Sequence, residues 1–122
     1  MINNIEITGV RFELNDQVKQ YAAKKIGSLD KYLADNERDA AQAHVVLSEE
    51  DGQRNDRFSC DVKLEIPGDT LTAQEATINM YAAIDIVEEK LRSQLEKRKD
   101  KQQNDRRLRR TRRMWKQFRD PS

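Results

Sequence analysis

At 122 residues, with 36% hydrophobic and 37% charged side chains, the chain has material for one small core and a polar remainder, which excludes a multidomain enzyme. A single cysteine excludes an internal disulfide, and no apolar run is long enough for a membrane span or a signal-peptide core, so a soluble cytoplasmic protein is expected. The net charge of +1 conceals a division: up to Glu96 there are 11 Lys+Arg against 19 Asp+Glu, net −8, and from Lys97 on 12 against 3, net +9.

Ile5 and Ile7 alternate with Glu6 and Thr8 before Gly9, which predicts a short strand with one apolar face, and Phe12 and Leu14 continue the alternation. Asn15 is placed to cap a helix, with Asp16 suited to the positive end of its dipole. Val18, Ala22, Ile26, Leu29 and Leu33 keep helical spacing, so the first helix is predicted over 16–33 with Gly27 inside it. Lys24 and Lys31 lie on its outer side and Lys25 on a flank near Tyr21, a thin basic patch. Residues 35–42 are charged and read as a loop.

His44 to Leu47 form a compact apolar run that suits a buried strand. Phe58, Cys60, Val62, Leu64 and Ile66 alternate without a break against polar neighbours, the clearest strand in the chain. Cys60 falls on its core-facing parity, which suits a buried structural thiol. Pro67 and Gly68 supply a tight turn, and Leu71 and Ala73 a returning strand. Thr77 or Asn79 then caps the second helix.

That helix is the surest element. Met80, Ile84, Val87, Leu91 and Leu95 recur at steps of three and four, which stacks them on one stripe at about 100° per residue. The same rotation gathers Lys90, Lys97 and Lys101 on one flank and Asp85, Glu89 and Glu96 on the other. Read from this helix alone, the flank is equally a solvated face or a binding surface. The order is strand, helix, three strands, helix, an α+β domain whose economical packing sets two helices on one face of a four-stranded, mostly antiparallel sheet.

Beyond Lys101 the composition changes. Residues 1–101 form the expected domain, and 102–122 a basic tail expected to be disordered in the free protein. Its Arg106, Arg107, Arg109, Arg110, Arg112 and Arg113 suit phosphates, and Trp115 and Phe118 suit stacking on exposed bases; the competing reading is a nonspecific basic tail. Catalysis is not expected. One histidine, His44, cannot supply the usual triads or zinc sets, and neither GxxxxGK[ST] nor GxGxxG occurs. No cofactor, metal or small-molecule substrate is implied.

Binding remains, and here the residues carry a resemblance. MYAAID at Met80 to Asp85, KL at Lys90 and Leu91, QL at Gln94 and Leu95, and KDK at Lys99 to Lys101 resemble the second helix of the hibernation promoting factor and ribosome-associated inhibitor family. NIEITG at Asn4 to Gly9, LDKY at Leu29 to Tyr32 and HVVLS at His44 to Ser48 resemble its first strand, first helix and second strand. The resemblance covers roughly residues 2–101 in the same element order. It implies a β-α-β-β-β-α fold similar to double-stranded RNA-binding domains, and a non-enzymatic factor that binds small-subunit rRNA in the mRNA and tRNA channel and silences ribosomes under stress.

On matching positions the resemblance implies rRNA contacts from Lys25, Lys31, Lys90, Lys97 and Lys101. Where the family commonly carries further basic residues this chain has Ser28 and Ser93, with Lys24 and Arg92 standing nearby to compensate. The chain resembles the short class, without the dimerisation domain of the long members, and a monomer off the ribosome is expected. Its arginine tail differs from the acidic tail of the ribosome-associated inhibitors. Two other readings are a general RNA-binding module and a protein-interaction regulator of transcription, the latter suggested by the family's older name of sigma-54 modulation protein.

Overall fold

The computed structural model describes residues 2–50 and 57–98. Lys101 and the arginines of 106–113 lie outside the described residues, as does Gly52. In chain order the elements are β1 (Asn4–Val10), α1 (Asp16–Gly27), a 3-10 turn over Ser28–Tyr32, α2 (Asp35–Arg38), β2 (Gln42–Glu49), β3 (Phe58–Ile66) and β4 (Asp69–Thr77), followed by a helix over 80–98, here α3.

The four strands lie in the order β1-β2-β3-β4. β1 pairs with β2 in parallel, with Ile5 opposite Ala43 and Ile7 opposite Val45, and a parallel pair needs the crossover that α1 provides. The other two pairings are antiparallel. The expected sheet, mostly antiparallel and covered by helices on one face, is therefore what forms.

One hydrophobic core joins the two main helices to the sheet. Ala43, Val45 and Leu47 of β2 and Cys60, Val62 and Leu64 of β3 point to it, as do Val18, Ala22 and Ile26 of α1 and Ile84, Val87 and Leu91 of α3, all at most 3% exposed. The predicted stripe of α3 is buried from Met80 to Leu95, and Ala83 joins it at 0% exposure. The other face of the sheet is polar. There His44 lies 3.3 Å from Glu6 and 3.8 Å from Glu65, which in turn pairs with Lys63 at 3.2 Å.

Both predicted helix starts are found. Asn15 Oδ1 accepts from the Val18 N–H at 2.8 Å, and Asn79 Oδ1 from the Tyr81 N–H at 2.8 Å, each satisfying a first-turn donor that the helix itself cannot. Three boundaries differ from expectation. The first α-helix stops at Gly27 rather than Leu33: the Ser28 N–H is shared between the Lys24 and Ile26 carbonyls, and the Ser28 hydroxyl donates to the Lys25 carbonyl at 2.8 Å. That tightens the chain into a 3-10 turn which still buries Leu29 and Leu33.

The predicted loop over 35–42 contains α2 and the first residue of β2. Glu37 accepts from the Ala34 N–H at 3.2 Å, and the Arg38 side chain donates to the Asp30 and Leu33 carbonyls, so a polar segment is held by side-chain to main-chain bonds rather than by burial. Phe12 and Leu14 are not strand residues although they alternate, because Arg11 takes φ 55° and ends β1. Gly9 permits this reversal: a Cβ there would stand 2.5 Å from the Phe12 carbonyl oxygen. At the β3–β4 turn Gly68 has φ 79°, the left-handed conformation that glycine adopts at little cost.

Candidate nucleic-acid interface

The helix layer carries Lys24, Lys25, Lys31, Lys90, Arg92 and Lys97, the described members of the basic set singled out from the sequence, and it sorts them by what each one touches. α3 runs between α1 on one side and the outer edge of β4 on the other. Lys25 of α1 faces α3, its Nζ 3.5 Å from Asp85 and 5.7 Å from the centre of the Tyr21 ring. Tyr21 donates its hydroxyl to Asp85 and meets Tyr81 edge to face at 4.9 Å between centroids. This hydrogen bond, with burial adding to it, pushes the Tyr21 phenol up to about 12.

On the other flank, Lys90 donates to the Gln74 carbonyl at 2.8 Å and pairs with Glu75 at 2.7 Å. Gln94, one turn on, donates to the Thr72 carbonyl at 2.9 Å. β4 is an edge strand, and edge strands expose unpaired main-chain groups that invite further strand addition. Lys90 and Gln94 satisfy two of those carbonyls. The row ends at Arg98, which pairs with Glu37 at 2.6 Å and lies 3.4 Å from Asp69.

The lysines thus differ in availability. Lys24 and Lys97 are exposed, and neither makes an ion pair among the described residues. Lys31 is exposed and stands 5.4 Å over the Tyr32 ring. Arg92 lies 3.8 Å from Glu88, an i,i+4 pair that the charge sorting of α3 overlooked because Glu88 belongs to the edge of the buried stripe, at 8% exposure. Lys25 and Lys90 stand on opposite flanks of α3 and are each engaged with a carboxylate, so the predicted basic residues among those described are not gathered into one cluster.

Residues with chemical potential elsewhere are accounted for by the fold. Cys60 is fully buried, and burial, with Asp61 beside it, pushes its thiol up to about 12. Among the described residues no group of three His, Cys, Asp or Glu side chains comes together in a way that could hold a metal ion. None of the described helices is long and apolar enough to cross a membrane.

A mixed four-stranded sheet with its helices on one face, and a helix surface carrying exposed lysines over a sealed core, define a small α+β domain. The chain belongs to the Sigma 54 modulation protein / S30EA ribosomal protein family, whose model matches residues 5–103. It is 36% identical over 93 residues to a ribosome hibernation promotion factor of Lactococcus lactis, covering 76% of this chain and 48% of that protein. A ribosome hibernation promotion factor of Deinococcus radiodurans is 32% identical, with 75% and 47% covered. The chain spans about half the length of these curated relatives.

Among solved structures, the N-terminal domain of Thermus thermophilus Protein Y superposes with a TM-score of 0.66 at 30% identity, covering 77% of this chain and 97% of that domain. A ribosomal subunit interface protein from Coxiella burnetii shares the fold, with a TM-score of 0.63 at 24% identity over 80% of this chain and 98% of that one.

Proposed function

We propose that this protein is a ribosome hibernation factor: a non-enzymatic cytoplasmic domain, monomeric off the ribosome, that binds small-subunit rRNA in the mRNA and tRNA channel and inhibits translation under stress. The observation that carries this reading is the family match over 5–103, shared with relatives named as hibernation promotion factors. The helix layer is its rRNA face. Exposed Lys24, Lys31 and Lys97 meet phosphates directly, with Lys25, Lys90 and Arg92 contributing from their carboxylate-bound positions, and Lys101 and the arginines of 106–113 adding charge along the backbone.

The acidic balance of residues 1–96 makes the distribution of charge matter more than its sum. A domain of net −8 up to Glu96 is repelled by RNA as a whole, so only a face presenting locally uncompensated cations can approach it. Sedimentation tests the reading. The protein should co-migrate with small subunits and inhibit translation in a purified system; equal affinity for free duplex RNA would make it a general RNA-binding module instead, and no association with either would point to a protein partner.

A further inference from the structure

Between α1 and α3 lies an acidic residue on the surface that the proposed function turns toward RNA. Asp85 is half-exposed, its side chain retaining 44% of its accessible area, in a place where an uncompensated carboxylate would repel phosphate. It is not uncompensated. The Tyr21 hydroxyl donates to it, Lys25 Nζ stands 3.5 Å away, and Tyr21 is itself braced edge to face by Tyr81. Four side chains from two helices thus come together, and both members of the ion pair reach solvent, Lys25 with 41% of its side-chain area accessible beside Asp85 with 44%.

Stability does not account for this arrangement, because an ion pair as exposed as Lys25 and Asp85 contributes little to folding. Its consequence is order. A lysine has a flexible four-carbon stem and three ammonium donors, and fixing such a side chain on a partner costs rotamer entropy at the moment of binding. Asp85 holds one side of the ammonium, and the donors turned away from it stay available.

Resting on the reading of the helix layer as the rRNA face, we infer that Asp85 is a positioning residue for RNA binding, holding Lys25 between α1 and α3 so that its ammonium bridges Asp85 and a phosphate of the bound RNA. The assignment reverses the usual electrostatic sign. Removing a negative charge from an RNA-facing surface ordinarily tightens binding, whereas removing this one releases Lys25.

The test is binding of the full chain to purified small subunits, read as Kd over a range of salt, with thermal unfolding of each variant as the check on folding. Asp85→Asn keeps an oxygen for the Tyr21 hydroxyl and deletes only the charge. It should weaken binding by about three- to tenfold, the scale of ordering one long side chain. Tyr21→Phe, which keeps the ring packing, should weaken it less. Lys25→Ala should weaken it as well, and in that background Asp85→Asn should cost nothing further.

If Asp85→Asn binds as tightly as the unaltered protein or more tightly while Lys25→Ala weakens binding, Asp85 is a like-charge penalty and the positioning role is overturned. If Lys25→Ala and Asp85→Asn both leave binding unchanged while Lys24→Glu with Lys97→Glu abolishes it, the positioning role fails but the helix layer remains the RNA face. Should none of these variants alter binding, the helix layer is not that face and both readings fall.

Discussion

Arg98 reaches back 61 positions along the chain to close on Glu37, its two terminal nitrogens 2.6 and 3.3 Å from the two carboxylate oxygens. The guanidinium lies 3.4 Å from Asp69 as well. One side chain thereby ties the end of the described part of α3 to α2 and to the first residue of β4. Bidentate geometry of this kind is the strong form of an ion pair. The two side chains are 21% and 13% exposed, so solvent screens them less than a surface pair.

Arg98→Ala should therefore lower unfolding stability by about 1.5–3 kcal/mol, the scale of a hydrogen bond to a charged group. The pair also predicts a pH dependence. The hydrogen bond from Arg98 holds the Glu37 carboxyl below its ordinary value of 4.5, against the opposing effect of burial. A carboxyl depressed in the folded state contributes stability that is whole above the unfolded value and is lost as pH falls through the folded one. Denaturant titrations of the unaltered protein should lose stability below pH of about 4.5, and Arg98→Ala should flatten that limb. An unchanged acid limb would assign the loss to other carboxylates.

Lys90 and Lys97 look equivalent in sequence, seven residues apart on one helical flank, yet the structure gives them different work. Lys90 seals the edge of β4, while Lys97 is exposed. Lys90→Glu places a carboxylate against Glu75 and the Gln74 carbonyl and should lower the melting temperature, so weaker binding in that variant reports on folding as well as on the RNA interface. Lys24→Glu with Lys97→Glu should leave the melting temperature unchanged and still weaken ribosome binding, reducing the salt slope by about 0.7–0.9 for each phosphate that is no longer neutralised. An equal fall in melting temperature in the two variants would show that the bond from Lys90 to the β4 edge is unimportant.

Much of this fold was legible because its signals are periodic. The alternation from Phe58 to Ile66 and the stripe from Met80 to Leu95 each repeat often enough to fix an element and its buried face, and MYAAID at Met80 to Asp85 carried the family. What periodicity cannot report is where a regular segment stops. The end of α1 depends on the Ser28 hydroxyl and the end of β1 on the backbone of Arg11, each a single local event. α2 gives no periodic signal because it is four polar residues long, held by local side-chain to main-chain bonds and by Arg98, a partner distant in sequence.

The site was legible as an inventory of basic residues but not as a geometry. Rotation about α3 placed Lys90 and Lys97 on one flank correctly, but it could not show that this flank meets the β4 edge while Asp85 meets α1. That depends on how the helices are seated, which long-range packing decides. Tyr21 carried no functional signal in sequence; only its approach to Asp85 gives it one.

Cys60 tests how closed the core is. It is fully buried, with its thiol pushed up to about 12 by desolvation, so alkylation at neutral pH requires both exposure and ionisation, and opening of the central strand approaches global unfolding. Labelling of the native protein should be slow and should accelerate with denaturant in step with loss of structure. Cys60→Ala should cost about 1 kcal/mol, as a typical core truncation of small size, while translation inhibition is retained. Rapid labelling without denaturant would mean that β3 is not the stable centre of the sheet.

The charge division at Glu96 concentrates the basic residues at one end of the chain. Residues 97–122 hold 12 basic and 3 acidic side chains, a density that favours phosphates without reading sequence. Each phosphate the segment neutralises should add nearly one unit to the slope of log affinity against log salt, by analogy with duplex nucleic acid. Truncation after Lys101 removes Arg106, Arg107, Arg109, Arg110, Arg112 and Arg113 together with Trp115 and Phe118, and leaves the helix layer intact. The truncated protein should bind ribosomes more weakly, chiefly at low salt where counterion release is worth most, and its salt dependence should be flatter. Inhibition at saturating protein should persist, because in the proposed function the folded domain is the part that occupies the channel. If the two proteins show the same slope, the arginines do not contact RNA, and a protein partner or solubility becomes the better account of them.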